Sequence, residues 1–415
     1  MKKDKVIELK RPETFVEDPL TEILREGARK LLAGALKAEI EDFLCEYEHL
    51  RRKDGRRRIT KNGHLPEREI QSGIGPIPVE VPRSCDREPK GEPIKFESSI
   101  VPKYVRKTKS MEALIPWLYL KGISTGDFTE ALSAIVGKDA IGLSPATISR
   151  LKSIWSEELK AWQARDLRSK RYAYFWADGI YCNVRMGDRQ CLLVIVGATE
   201  DGKKEFVALQ DGYRESEQSW TEVLLDLKSR GLKSPPQLAI GDGALGFWKA
   251  LNKIYGKTRM QRCWVHKTAN VLNKLPKSLQ SKAKQSLHNI WMAPGKQEAE
   301  RHFDIFIETY KDKYPKAADC LAKDRDVLLT FYDFPAEHWC HIRTSNPIES
   351  TFATVRLRTS KVRGCFSAQT VLTMAYKLCE SAQKNWRRLR GFKKLTKVIE
   401  GVRFVDGIEE MRIAA

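Results

Sequence analysis

The segment Tyr-Ala-Tyr-Phe-Trp-Ala-Asp-Gly at residues 172–179 decides the fold of this chain. It is an apolar, β-rich run, and its β character continues on both sides of Asp178, which predicts a carboxylate inside a sheet. A charge there is costly unless something pairs with it, as a metal ion would, so Asp178 is the first candidate catalytic residue. An ordinary turn is the alternative, because Asp-Gly also begins at positions 54, 201, 211, 242 and 406.

The pattern around this segment predicts a mixed arrangement of strands and helices. Strands are expected at 172–186, 190–198 and 204–209, then a helix at 219–230, a strand at 237–240, a helix around 247–251 and a short strand near 260. Three strands, a helix, a strand, a helix and a strand is the order of a ribonuclease-H-like sheet. The predicted fold class is therefore α/β, with a ribonuclease-H-like catalytic core. Lys-rich helical patterning over 266–330 indicates an all-α insertion.

Two further acids complete the candidate catalytic set. Asp242 ends a strand just before a helix, where ligands gather in open α/β sheets. Glu349 lies near the start of an Arg-rich helix, although Asn346 and Pro347 also make it the third residue of a capping box that needs no catalysis. Both interpretations of Glu349 can hold. Two such aspartates and a helical glutamate suit a pair of Mg²⁺ or Mn²⁺ ions, which can activate water or a 3′-OH against a phosphodiester.

The charge of the chain favours a polyanionic partner. Its 415 residues have a net charge of +20, spread along the chain, with a hydrophobic fraction of 41% that is ordinary for a globular protein of two or three domains. Plain solubility is the alternative explanation of the charge. Candidate DNA-binding residues are Arg56, Arg57 and Arg58 in a basic loop, Thr147, Arg150 and Lys152, and Arg356, Arg358, Lys361 and Arg363 behind Glu349.

A helix-turn-helix is predicted over residues 110–166. The first helix is expected at 111–121, Ser124 and Asp127 give the second a capping pattern, and Ser144-Pro145 opens a third. The third helix would leave Thr147, Arg150 and Lys152 free to face a groove of DNA. A generic three-helix packing unit is the alternative.

The N-terminal region and the cysteines give further expectations about assembly and redox state. Residues 19–50 carry a helical apolar stripe that needs a partner, such as a second copy of the chain, and 68–105 indicate short strands. Nine scattered cysteines fit reduced thiols. Without a long apolar run or a signal peptide, we expect an intracellular protein with no membrane partner.

A zinc site is a weaker expectation. Cys263-Trp-Val-His266 has the spacing of half a zinc site, and His338-Trp-Cys-His341 is a possible second half. The alternatives are buried packing, or contact of His266 with the scissile phosphate. Trp264 and Trp339 could stack on an unpaired base, although core packing is favoured for both.

Longer motifs resemble the Mutator-type transposases of bacterial insertion sequences, and the resemblance covers most of the chain. They are Trp-Ala-Asp178-Gly, Asp242-Gly-Ala-Leu-Gly-Phe, Gln261-Arg-Cys-Trp-Val-His, and the run from His338 through Asn346-Pro-Ile-Glu349 to Arg356. Gly256 and Thr258 depart from the family pattern in a turn, which affects local geometry only.

The resemblance implies a DDE transposase that uses Asp178, Asp242 and Glu349. It also implies binding to double-stranded DNA at terminal inverted repeats and at a target, with a homodimer or larger assembly on two transposon ends. The location that the resemblance implies is cytoplasmic and nucleoid-associated, in a bacterial cell. The rival classes are a non-cutting DNA-binding regulator and another ribonuclease-H-like endonuclease. The domain boundaries expected are 1–109 (helical and basic), 110–166 (helix-turn-helix), 167–275 (first core part), 276–340 (helical insertion), 341–383 (last core part) and 384–415 (basic tail).

Overall fold

The computed structural model of the protein describes residues 19–89, 92–111, 114, 118, 145–184, 189–212, 214–243, 245–361 and 367–410. The chain divides into two compact units, Met1–Leu151 and Lys152–Ala415. Most of the predicted helix-turn-helix, including its second helix, lies outside the described residues. Of the predicted first helix, only residues 111, 114 and 118 are described, and these are helical. Its third helix is present as α2 (Pro145–Gln163) and begins at the expected proline.

The first unit combines one long helix with short antiparallel strands. Its elements are α1 (Pro19–Glu46), β1 (Ile59–His64), β2 (Arg68–Ser72), β3 (Gly75–Val79) and β4 (Pro82–Asp86). β1 pairs with β4, and β2 pairs with β3. The apolar stripe predicted α1, but the structure buries only part of it. Leu36 and Ile40 are buried, whereas the exposed apolar residues of the helix are Leu20, Ile23, Leu24 and Leu31.

The second unit is built on a five-stranded mixed sheet. Its strands are β5 (Tyr172–Asn183), β6 (Arg189–Thr199), β7 (Lys204–Gly212), β8 (Leu238–Gly241) and β9 (Arg259–Arg262), and their order across the sheet is β7-β6-β5-β8-β9. β5, β6 and β7 are antiparallel, while β8 lies parallel to β5 and β9 parallel to β8. The predicted sequence of strands and helices is confirmed, and the class is mixed α/β.

Two helices cover one face of this sheet. They are α3 (Glu217–Ser229) and α4 (Leu245–Ile254), which pack against each other and over the central strands. Phe175 and Ala177 of β5 face this core. Because alternate residues of a strand point to opposite faces, Tyr174, Trp176 and Asp178 belong to the other face. That other face is the one on which the helices nearer the C-terminus pack.

A run of helices follows β9. Its helices are α5 (Trp264–Leu272), α6 (Lys277–Trp291), α7 (Lys296–Tyr310), α8 (Pro315–Ala322), α9 (Arg325–Leu329) and α10 (Trp339–Ile342). The chain returns to the sheet with α11 (Asn346–Lys361) and α12 (Ala368–Gln383), then ends in α13 (Leu395–Ile399), β10 (Phe404–Val405) and β11 (Ile408–Glu409). α11 packs on β5 and α12 on β7. In the described part of the chain, no helix is both long and apolar enough to cross a bilayer.

Candidate active site

The register of the sheet aligns the two candidate aspartates. Trp176 of β5 pairs with Ile240 of β8 in parallel register. Asp178 lies two residues after Trp176, and Asp242 lies two residues after Ile240. Asp178 is 7% exposed and lies opposite Val194 of β6, well inside the strand, while Asp242 directly follows β8. A parallel pairing therefore brings the two carboxylate-bearing residues to the same level of neighbouring strands.

The turn after Asp242 depends on a glycine. Gly243 has a φ of +92°, in the left-handed region that a residue with a side chain rarely adopts. A Cβ atom there would also collide with the guanidinium of Arg262, at the end of β9. The Asp242-Gly243 step thus redirects the chain from β8 towards α4 and keeps the aspartate at the strand end.

The next strand leads directly into the Cys263–His266 motif. The backbone N–H of Cys263 donates to the Gly241 carbonyl at 2.7 Å, and the N–H of Trp264 donates to the Arg343 carbonyl at 3.0 Å. The first bond joins the ends of β8 and β9, and the second joins the start of α5 to the segment that precedes Glu349. Two backbone bonds therefore hold the motif between Asp242 and Glu349.

Ser345 is a fully buried hydroxyl at the centre of this group. Its Oγ atom lies 3.3 Å from Cys263 Sγ, 3.3 Å from His266 Nδ1 and 3.0 Å from Glu349 Oε1. His266 Nε2 is 3.5 Å from the same Glu349 oxygen. One ligand atom from each of Cys263, His266 and Glu349 lies within 4.8 Å of the others, so together they could hold a metal ion.

The charges in this group are coupled. Although burial opposes the change, hydrogen bonds from His266 and Ser345 lower the pKa of the Cys263 thiol. The hydrogen bond to Cys263 is the main cause that raises the pKa of His266 to about 9, and the charges of Asp178 and Glu349 raise it further. His266 is therefore a cation at neutral pH, with two of the candidate acids close enough to stabilise its charge.

Glu215 is a fourth acid at this site, and it was not among the residues singled out from sequence. Burial first, then the negative charges of Asp242 and Asp178, raise its pKa to about 7. A Cβ atom on Gly179 would collide with the carboxyl group of Glu215, so that group lies directly over the backbone next to Asp178. The sequence signal available was an acid two residues before a helix, which is too common to be selected.

The three predicted acids are linked electrostatically through two neighbouring residues, His266 and Glu215. The charges of Asp178 and Glu349 both raise the pKa of His266, and the charges of Asp178 and Asp242 both raise the pKa of Glu215. Asp178 is the member common to both pairs. This arrangement explains why a buried strand carries an aspartate at this position, because the residue faces a polar, charged cluster rather than the apolar core.

Of the four residues expected at a zinc site, Cys263 and His266 lie in the group described above, whereas His338 and His341 have other hydrogen-bond partners. Both ring nitrogens of His338 are engaged elsewhere, Nδ1 with the Tyr174 hydroxyl at 2.6 Å and Nε2 with the Gly391 carbonyl at 3.0 Å. His341 Nε2 accepts the backbone N–H of Arg390 at 3.1 Å. Burial lowers the pKa of both histidines, that of His341 to about 4. They are neutral packing residues that join β5 and α10 to the C-terminal segment.

The two tryptophans of these motifs are also packing residues. Trp264 is 1% exposed, and its indole N–H donates to the Leu328 carbonyl at 2.9 Å. Trp339 packs against Phe331 and Tyr332 and donates to the Phe334 carbonyl at 2.8 Å. The sequence favoured core packing over base stacking for both tryptophans, and both are packed against the protein in this structure.

The candidate DNA-binding residues fall into three groups. Arg56 is exposed, whereas Arg57 pairs with Glu48, and Arg58 forms two 2.7 Å bonds to Asp86 in a partly buried ion pair. Arg150 is exposed, and Lys152 is half-buried with an interaction of its own. Positions whose side chains lie outside the described part of the chain are Thr147, Arg356, Arg358, Lys361 and Arg363.

Comparison with known proteins agrees with these features. The family described as "Transposase, Mutator family" matches residues 2–389. The chain belongs to this family. It is 51% identical over 286 residues to the transposase of insertion sequence element IST2 of Acidithiobacillus ferrooxidans, covering 67% of this chain and 95% of that protein.

Other members of the family are similar over comparable lengths. The transposase of IS6120 from Mycolicibacterium smegmatis is 48% identical over 298 residues, covering 72% of this chain and 92% of the relative. The transposase of IS905 from Lactococcus lactis is 26% identical over 344 residues, with coverage of 82% and 84%. This Mutator-family chain is thus an insertion-sequence transposase, and the family as a whole uses divalent metal ions on DNA.

Proposed function

We propose that this transposase cleaves DNA strands at the terminal inverted repeats of its insertion sequence and joins them to target DNA, with Asp178, Asp242 and Glu349 as catalytic acids on a ribonuclease-H-like sheet. The observation that carries the proposal is geometric: the β5–β8 register brings Asp178 and Asp242 to the same level of adjacent strands, and Glu349 lies 3.5 Å from His266, whose motif is bonded to the end of β8. Acids that are remote in sequence and lie around the ends of neighbouring strands suit a centre for phosphodiester chemistry.

The donor set fits divalent cations. Asp178 is almost fully buried, and the charges of Asp178 and Asp242 hinder ionisation of Glu215, so the cluster carries negative charge that a cation would balance. We assign Asp178 and Asp242 as ligands of two Mg²⁺ or Mn²⁺ ions, with Glu349 completing one of them. When bound, such ions lower the pKa of an attacking water and stabilise the leaving oxygen.

Side chains of the protein orient this centre. Ser345 donates towards the Glu349 carboxylate and fixes its direction from inside the core. His266, cationic at neutral pH, lies beside the same carboxylate and suits contact with a DNA phosphate. Water would cleave the first phosphodiester, leaving a 3′-OH and a 5′-phosphate. That 3′-OH would then attack a target phosphodiester and displace the 3′-oxygen of the target strand, so one bond replaces another and no covalent protein–DNA intermediate is needed.

The partner is double-stranded DNA. A net charge of +20 favours it through counterion release, and Arg56 and Arg150 are exposed cations in the described part of the chain. We assign recognition of the inverted repeats to the helix that begins at Pro145 and the segment before it. The exposed apolar residues of α1 suit contact with a second copy in an assembly on two DNA ends.

The test is a nicking and joining assay on a duplex that carries the inverted repeat flanking the gene. Asp178→Asn, Asp242→Asn and Glu349→Gln should each lower nicking in Mg²⁺ by roughly a thousandfold or more while end binding is retained. Asp211→Asn is the matched control, because Asp211 also precedes a glycine but is exposed at the end of β7. It should nick at close to the wild-type rate.

Each other outcome identifies a rival function. Undiminished nicking by Asp178→Asn would contradict the assignment of that acid. Binding without nicking by the wild-type protein in Mg²⁺ or Mn²⁺ would indicate a regulator, and nicking without strand joining would indicate another endonuclease.

A further inference from the structure

The segment 214–217, between β7 and α3, is held against both aspartate-bearing strands. A Cβ atom on Gly246, in the first turn of α4, would lie 2.5 Å from the Glu215 carbonyl oxygen and 2.7 Å from the Glu217 nitrogen. Only a glycine lets the backbone of this segment approach α4 so closely. Ser216 then caps α3, its Oγ accepting the Ser219 N–H at 3.1 Å. The position of Glu215 is therefore fixed by backbone packing on one side and a helix cap on the other.

A second glycine makes room for the side chain. Gly179 directly follows Asp178, and any side chain there would overlap the Glu215 carboxyl group. Gly179, one residue after Asp178, and Gly246, four residues after Asp242, therefore both leave room for Glu215. Both contacts are with backbone or with the carboxyl group itself, so the Glu215 carboxyl group is held against the β5 backbone immediately after Asp178.

This placement is unfavourable for the isolated protein. Glu215 is half-buried, and Asp242 and Asp178 both repel its charge. Among the described residues, none forms an ion pair or a side-chain hydrogen bond with the Glu215 carboxylate, and His266 is the one group whose charge favours its ionised form. The repulsion of a half-buried acid held beside two others by tight backbone packing is relieved by a proton or by the charge of a divalent cation.

We propose that Glu215 is a fourth carboxylate of the metal-binding centre, contacting a divalent ion together with Asp178 and Asp242. The inference rests on the proposed function, because that function supplies the ion. Glu215 reaches the centre from the segment before α3, whereas Glu349 reaches it from α11. Four carboxylates from four separate segments would hold the ions more tightly than three, and would position them before DNA arrives.

The test measures Mn²⁺ binding to the full-length protein without DNA, from the loss of the electron paramagnetic resonance signal of free Mn²⁺. Glu215→Gln keeps the shape of the side chain but removes its charge, and should weaken Mn²⁺ binding about tenfold or more. Glu217→Gln is the control: it removes the same charge two residues away, where the side chain is exposed and pairs with Lys249 at 3.7 Å. It should bind Mn²⁺ as the wild type does.

A second readout separates a metal ligand from a structural residue. Without metal, Glu215→Gln should melt at the same temperature as the wild type or higher, because it removes repulsion at the cluster. A ligand role therefore predicts unchanged or greater thermal stability together with weaker Mn²⁺ binding, whereas a purely structural role predicts lower stability. Should Glu215→Gln fold poorly, Glu215→Asp retains the charge, shortens the reach, and should again weaken Mn²⁺ binding.

The nicking assay distinguishes failure of this inference from failure of the proposed function. Glu215→Gln should need about tenfold more Mn²⁺ for half-maximal nicking. If Asp178→Asn is inactive but Glu215→Gln matches the wild type in Mn²⁺ affinity and metal requirement, the fourth-ligand inference is overturned and the three-acid centre stands. If Asp178→Asn nicks normally, the proposed function itself fails, and the inference fails with it.

Discussion

Glu349 illustrates how one residue can serve structure and chemistry together. It stands in the first turn of α11, where a carboxylate is favourable, and its Oε1 atom accepts from the hydroxyl of Ser345, the residue just before the helix. The sequence predicted Asn346 as the capping partner, and the neighbouring Ser345 also contacts the Glu349 carboxylate. The carboxylate also faces His266, outside its own helix. The hydrogen bond from Ser345 therefore orients the Glu349 carboxylate towards His266.

At the same scale, sequence and structure differ most clearly over Glu215 and His338. Asp178 and Asp242 could be selected from sequence because each follows or interrupts an apolar strand, which is a local signal. Glu215 could not, because its position depends on the close approach of its segment to Gly179 and Gly246. For His338, motif spacing suggested a zinc site shared with Cys263, but spacing gives no sign that both of its ring nitrogens bond to Tyr174 and Gly391.

His341 makes the stability of the protein depend on pH. Burial, with the charges of Lys204, His338 and Arg390, lowers its folded-state pKa to about 4, against an ordinary value of 6.5. Between these values the unfolded chain binds a proton that the folded chain does not, so the free energy of unfolding falls as pH drops from 6.5 towards 4. Because His341 is partly exposed, we expect a loss of about 1–2 kcal/mol across this window.

Replacement of His341 by glutamine tests this expectation. Gln retains an acceptor for the Arg390 N–H but does not titrate, so urea denaturation in a chelator should show a smaller loss of stability between pH 6.5 and pH 4 than in the wild type. His288→Gln, at an exposed position of α6, is the control and should keep the wild-type dependence. An equal dependence in His341→Gln and the wild type would assign the effect to other groups.

Among the elements, α4 shows how close packing can outweigh helix propensity. Gly246 lies in this helix, where alanine would ordinarily be preferred by up to about 1 kcal/mol. However, the added methyl group would meet backbone atoms of Glu215 and Glu217, which cannot move aside as a flexible side chain can. We therefore expect Gly246→Ala to destabilise the second unit by about 1–3 kcal/mol.

A glycine in α1 provides the matched comparison. Gly34 is exposed, and a Cβ atom there would meet nothing within 4 Å. Gly34→Ala should therefore stabilise the first unit by about 0.5–1 kcal/mol through helix propensity alone. Scanning calorimetry measures both variants. If Gly246→Ala raised the melting temperature as Gly34→Ala does, the close approach of α4 to the segment before α3 would be disproved.

For the whole molecule, sequence predicted the sheet better than it predicted the N-terminal unit. The strands of the second unit are long, apolar runs with clear turns between them, so their number and order were evident. β1 was missed because its residues, Ile-Thr-Lys-Asn-Gly-His, are mostly exposed and polar and lack the alternation that marks a half-buried strand. Residues distant in sequence hold β1 in place: it pairs with β4, and Arg58, just before β1, forms an ion pair with Asp86 of β4.

The net charge of the molecule makes a prediction about DNA binding. With a charge of +20, binding to a duplex of unrelated sequence should be largely electrostatic. If the protein neutralises at least about six phosphates, its affinity should fall by about a thousandfold or more between about 50 mM and about 200 mM salt. Fluorescence anisotropy with a labelled duplex measures this slope, and an affinity independent of salt would contradict an electrostatic interface.

Two neighbouring arginines show which cations contribute to that slope. The Arg56 side chain is exposed, and only its backbone N–H is bonded, to Asp54. If it contacts a phosphate, Arg56→Gln should weaken binding equally on all sequences and reduce the salt slope by about 1. Arg58→Gln removes the same charge from a partly buried pair with Asp86, so it should leave the slope unchanged and destabilise the first unit. The reverse result would place the basic loop's DNA contact at Arg58, with its ion pair open in the complex.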